Sequence, residues 1–157
     1  MSKPCSKCKE DMSKQILDPF HGEEGGLKLS VHQMPALICG QGHMRFIHIE
    51  FAAQLMDLMA SPDTFGSIPS ATKKGLLKKR YHCPRCDIEL PALPTGQQTL
   101  EVLAELNKAE PFKVQVEVPV FECGGCGKAS IHAAEETARL AFKAIDHAYR
   151  SIDIHPT

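Results

Sequence analysis

CGQGH, residues 39–43, contains the seventh cysteine of the chain and the only one outside a Cys-x-x-Cys pair. The other six form Cys5/Cys8, Cys83/Cys86 and Cys123/Cys126. Such pairs have three readings, and the count separates them. A redox dithiol of the thioredoxin kind needs one pair at the start of a helix, where the helix N-terminus lowers the attacking thiol's pKa. CSKC and CPRC each precede polar loop sequence instead, and a redox role would leave the other pairs unexplained. An iron–sulfur cluster takes four thiolates, usually crowded into one stretch. Two tetrahedral zinc sites need eight ligands, and seven cysteines leave one place for a histidine.

His43 fills that place. In CGGCG, residues 123–127, the chain turns tightly after Cys123 so that Cys126 points back at the same ion, and glycines ease the turn. At the matching position of CGQGH stands Gly42, which has no donor; His43 is next, and its longer imidazole covers the extra residue. The competing reading makes His43 a solvated loop histidine and Cys39 a buried free thiol, since His21, His32 and His48 lie in the same half. The expected ligand sets are Cys5, Cys8, Cys39 and His43 for one Zn2+, and Cys83, Cys86, Cys123 and Cys126 for a second.

An internal repeat supports this division. Shifted by 84 positions, Pro35, Cys39, Gly40, Ile47 and His48 fall on Pro119, Cys123, Gly124, Ile131 and His132. Upstream, LKLSVHQMPALIC and FKVQVEVPVFEC both alternate apolar and polar residues, as half-buried strands do. Downstream, IEFAAQLMDLMA and AAEETARLAFKAIDHAYR have helical apolar spacing; in the second, Ala134, Ala138, Ala141, Phe142, Ile145 and Tyr149 share a face. The stretch HGEEGG, residues 21–26, reads as a turn between two strands. QQTLEVLAELNKAEP places Leu100, Val102, Leu103 and Leu106 at helical spacing before Pro111, which predicts an inserted helix in the second half.

The expected fold is therefore α+β, with two tandem zinc-ribbon-like units, each a small antiparallel sheet followed by a helix. SPDTFGSIPSATKKG, residues 61–75, reads as the linker, which divides the chain into units 1–68 and 69–157.

CSKC, then LKLSVHQMPALICGQGHMRFIHIEF and a following helix, resembles the YgiT-type (MqsA-like) zinc-finger domain of bacterial antitoxins. The resemblance covers roughly residues 3–60 and, more loosely, 81–150 as a second copy; Cys5, Cys8 and Cys39 match its motif, and His43 stands where a cysteine is expected. It implies a zinc domain that binds a partner protein. In that family a separate helix-turn-helix domain binds DNA; here the second half repeats the zinc unit, with no pair of short helices joined by a glycine turn.

Each half has the size at which a core alone supplies only ~3–5 kcal/mol, whereas a structural zinc contributes an apparent ~10–16 kcal/mol in small peptides. Folding should depend on metal. Shells closed by four protein ligands leave no position for water or substrate, which argues against hydrolytic chemistry. A zinc deaminase wants His-x-Glu and then Pro-Cys-x-x-Cys; HIE at 48–50 precedes CPRC at 83–86, but Pro84 follows the first cysteine, and the other cysteines would be stranded. No nucleophile elbow, phosphate loop or dinucleotide fingerprint is present, and the expectation is a non-enzymatic protein that presents a surface to a protein partner, as an antitoxin or regulatory adaptor.

Nucleic acid is the alternative partner. KKGLLKKRYHCPR, residues 73–85, carries Lys73, Lys74, Lys78, Lys79, Arg80 and Arg85 without an acid, and Tyr81 and His82 are candidates to stack on a base. Against it, the formal charge is -1, and two zinc ions with seven thiolates make the loaded chain more acidic still. The 157 residues, 43% hydrophobic and 24% charged, read as a globular protein. No stretch reaches the roughly 18–20 apolar residues that cross a bilayer, and the N-terminus has no apolar leader. A cytoplasmic location without a membrane partner is expected; there disulfides are rare and paired cysteines favour metal.

Overall fold

The computed structural model describes residues 4–48, 50–78, 80–106 and 109–154. It is α+β. The first half runs β1 (Met12–Ile16), β2 (Phe20–Glu24), β3 (Leu27–His32), β4 (Pro35–Cys39), β5 (Met44–Arg45) and helix α1 (Phe51–Ala60). After a 3-10 turn (Pro62–Phe65) come β6 (Thr72–Lys74), β7 (Arg80–His82), β8 (Gly96–Ala104), β9 (Phe112–Glu122), β10 (Ala129–Ser130) and helix α2 (Ala134–Ser151). All strand pairs of the sheets are antiparallel, and in each half a helix follows the strands.

The alternation in β3 and β9 sets the sheet's inner face. Leu27, Leu29 and Val31 of β3, and Phe112, Val114, Val116, Val118 and Val120 of β9, are buried, with the intervening residues turned outward. β9 pairs with β3 on one side, Lys28 with Glu117 through His32 with Lys113, and with β8 on the other. The two halves thus meet in one sheet and share one apolar core. Phe65 and Ile68 of the expected linker lie in that core, so its first part is anchored to the fold, whereas residues 69–75 are exposed apart from the half-buried Ala71.

The inserted helix expected over residues 97–111 is strand β8 through Ala104; Asn107 and Lys108 lie outside the described residues. Leu100 and Val102 turn inward with Ala104, while Leu103 is 57% exposed. Leu100, Val102 and Ala104 follow a period of two, whereas Leu100, Leu103 and Leu106 follow a helical one, and a nine-residue ladder to β9 decides for the strand by pairing the facing backbone groups of β8.

α2 lies across β2 and β3 on an alanine face, with Ala138, Ala141, Ala144 and Ala148 buried beside Ile145 and Tyr149. Phe142, expected on this face, is 39% exposed. Small residues let the backbones touch: a Cβ on Gly22 of β2 would stand 2.0 Å from the Ala144 carbonyl oxygen and 2.7 Å from the Ala148 nitrogen. Glu135 and Glu136 in the first turn and Arg150 in the last suit the helix dipole. The Tyr149 hydroxyl donates to the Ala52 carbonyl of α1 at 3.4 Å, and burial pushes this phenol's pKa upward.

Candidate metal centres

The cysteine turns stand at the sheet ends, outside the main core, in two small clusters: Cys5, Met12 and Cys39, and Cys83, Leu90, Phe121 and Cys123. Three of the four turns share one backbone plan. The N–H of the first cysteine donates to the carbonyl five residues on: Cys5 to Glu10, Cys83 to Ile88 and Cys123 to Lys128, at 2.7–2.9 Å. Its carbonyl accepts from the residue four on, Lys9, Asp87 or Gly127, and each of these has positive φ, 65°, 65° and 72°. The left-handed residue folds the chain back so that both cysteines face one point.

CGQGH departs from this plan by one residue. The Cys39 N–H donates to the His43 carbonyl at 3.1 Å, Gly42 donates to the Cys39 carbonyl at 3.0 Å, and the positive φ, 86°, falls on Gly42. In the longer turns the second ligand precedes the left-handed residue; here it follows. That places His43 beside Cys39 and explains why the position taken by a cysteine in CGGCG is a glycine.

Two tetrads result. Cys5, Cys8, Cys39 and His43 each offer a ligand atom, as do Cys83, Cys86, Cys123 and Cys126, and within each set these atoms lie within 4.8 Å of one another. The His43 Nδ1 is 3.4 Å from both Cys5 Sγ and Cys39 Sγ. Sulfurs bonded at ~2.3 Å to one tetrahedral ion stand ~3.7–3.8 Å apart; Cys8 to Cys39 is 3.6 Å and Cys83 to Cys126 is 3.7 Å, with Cys86 to Cys123 closer at 3.1 Å. No cysteine forms a disulfide. Both four-residue sets expected from sequence are assembled, and His21, His32 and His48 join neither.

The electrostatics call for a cation. The backbone N–H groups of Cys8 and then Lys7 draw the Cys5 thiol down to about 6 against desolvation, and the N–H of Cys126, with help from Cys86, does the same for Cys123, to about 6. Backbone donors of Cys86 and Arg85 lower Cys83. The neighbouring sulfurs cannot follow: Cys123 pushes Cys86 up to about 12, and at Cys8 desolvation and the sulfurs of Cys39 and Cys5 outweigh the Glu10 N–H, reaching about 11. A divalent ion removes this repulsion and lets all the thiols ionise. Cys86 and Cys126 are exposed, whereas Cys5, Cys39, Cys83 and Cys123 are buried.

The basic strip of residues 73–85 lies on the β6–β7 hairpin and the turn after it, with Lys79 outside the described residues. Lys74 pairs with Asp87, lowering that carboxyl, and Arg80 with Glu89 at 3.2 Å. Tyr81 stacks on His132, centroids 4.0 Å apart, and Lys73 sits 5.8 Å over the Tyr81 ring. His132 is stacked in turn on Phe121 at 3.6 Å. Tyr81 therefore holds the hairpin to the sheet rather than offering an open face to a base. The His82 Nδ1 lies 3.1 Å from the Asp87 carbonyl oxygen, which it can reach as an N–H donor. This ring stack leaves no local pattern along the chain, because Tyr81, Phe121 and His132 are brought together by tertiary packing.

No protein-family description, no curated protein and no solved structure matches this chain significantly. Among the described residues, no helix is long and apolar enough to cross a membrane.

Proposed function

We propose that this chain is a non-enzymatic protein holding two structural zinc ions, and that it presents the surface they stiffen to a protein partner, as an antitoxin or regulatory adaptor does. The observation that carries the reading is closure: each tetrad supplies four protein ligands to one point. Sets of four sulfurs, or three sulfurs and one imidazole, on a single centre suit Zn2+. Iron–sulfur clusters hold their thiolates around several metal and sulfide atoms, and so farther apart than ligand atoms all within 4.8 Å. With four protein ligands in place the ion has no position for water or substrate, so its contribution is to stability.

Duplication of one unit accounts for the order of elements. A turn with Cys-x-x-Cys, a hairpin, a second ligand turn, a short strand and a helix occur in this order in each half. The ladder between β3 and β9 joins the two halves: Ser30 pairs with Gln115 and Val31 with Val114.

Nucleic-acid binding is the weaker reading, because Asp87 and Glu89 compensate two of the strip's cations. Affinity capture from the source cell with the zinc-loaded protein tests the choice. One stoichiometric, nuclease-resistant protein is expected; recovery of nuclease-sensitive material alone would contradict it.

A further inference from the structure

The β6–β7 hairpin carries an unusual tip. Leu76 is 100% and Leu77 103% exposed, so neither side chain touches the rest of the fold. Large apolar side chains fully in water and adjacent to one another mark an interaction site rather than ordinary surface. The chain reverses at Gly75, φ 121°, and the tip is flanked by Lys73, Lys74, Lys78 and Arg80. Its root is held firmly. Lys74 reaches Asp87 and Arg80 reaches Glu89, both in or just beyond the Cys83 turn, and the Tyr81–His132–Phe121 stack ties β7 to the end of β9. Lys78 has no ion-pair partner among the described residues, and the Lys73 ammonium makes only its contact with the Tyr81 ring.

We propose that this tip docks on an anionic lipid surface, Leu76 and Leu77 entering the boundary between headgroups and acyl chains while Lys73 and Lys78 meet the headgroup charges. Full exposure means the tip projects with no wall around it. A bilayer interface accepts such a projection without a matching groove, and flanking cations add attraction to anionic lipid. Leucines gain nothing from a polyphosphate backbone, which sets nucleic acid aside for this element. The inference goes beyond the proposed function and does not depend on it; docking of this kind needs no membrane-spanning helix.

Co-sedimentation of the metal-loaded protein with vesicles tests it, using phosphatidylcholine alone against phosphatidylcholine containing phosphatidylserine. Binding is expected only to the anionic vesicles, weakening as salt rises. The double variant L76S/L77S should reduce it by about tenfold or more with metal content unchanged, since neither leucine supports the fold. Leu103→Ser, which removes a half-exposed leucine from β8, should bind as the parent does. Equal partition onto both vesicle types, no binding to either, or full retention by L76S/L77S would overturn the proposal. A lipid-free shift from dimer to monomer on L76S/L77S would overturn it in favour of a second copy of the chain.

Discussion

The Cys39 N–H donates to the carbonyl of His43, four residues on, where the first cysteine of every other ligand turn reaches five residues on. The turn is one residue tighter, its left-handed position is Gly42 rather than the residue after the second ligand, and the imidazole takes the place of a thiolate. His43→Ala should lower the metal content from two equivalents to one and loosen the first half. His21→Ala, His32→Ala and His48→Ala should keep both ions, because these residues lie outside the tetrads. Gly42→Ala, forced to φ 86°, should cost ~1–2 kcal/mol in denaturant unfolding. Two ions retained in His43→Ala would show the ligand to be misassigned.

Gly22→Ala tests the contact that seats α2. Its Cβ would meet the backbone at Ala144 and Ala148, which a rotamer change cannot relieve. A loss of ~1–3 kcal/mol or more is expected in chemical denaturation. A change within about 0.5 kcal/mol, typical of an unconstrained surface site, would mean that the helix does not pack this closely.

The two centres should differ in how readily they release metal. Cys86 and Cys126 of the four-cysteine centre are exposed, whereas the other centre has two buried cysteines and two half-buried ligands. A competing chelator should remove one equivalent faster than the other, and His43→Ala, which retains only the four-cysteine centre, should show the fast phase alone. Retention of only the slow phase would reverse the assignment.

Much of the site was legible because ligand spacing is local. Cys-x-x-Cys fixes a turn within a few residues, and the odd cysteine forces a choice among nearby histidines. The helices α1 and α2 were legible for the same reason, through apolar spacing over ten and 18 residues. Leu100, Val102, Leu103 and Leu106 misled because a short apolar run fits both periods, and its partner β9 decides between them. The joining of β3 to β9 left no local trace either: Lys28 and Glu117 pair across the whole middle of the chain. Phe65 and Ile68, set among Ser, Pro and Gly, looked like linker residues because composition does not reveal which apolar side chains find the core.

The basic strip should prove electrostatically quiet toward nucleic acid. Neutralising Lys78, Lys79 and Arg80 should leave binding to single- and double-stranded oligonucleotides unchanged, with no steep dependence on salt. A salt-sensitive affinity tighter than the ~10⁻⁴–10⁻⁶ M of non-specific binding, reduced by those substitutions, would replace the protein-partner reading with the nucleic-acid one.

The most direct measurement is elemental analysis of the protein purified without chelator, followed by unfolding as a strong chelator withdraws the metal. Two tetrads of converging ligands predict two zinc ions per chain and a cooperative loss of structure on their removal. One zinc or fewer, or iron accompanied by a visible absorption band, would contradict the account.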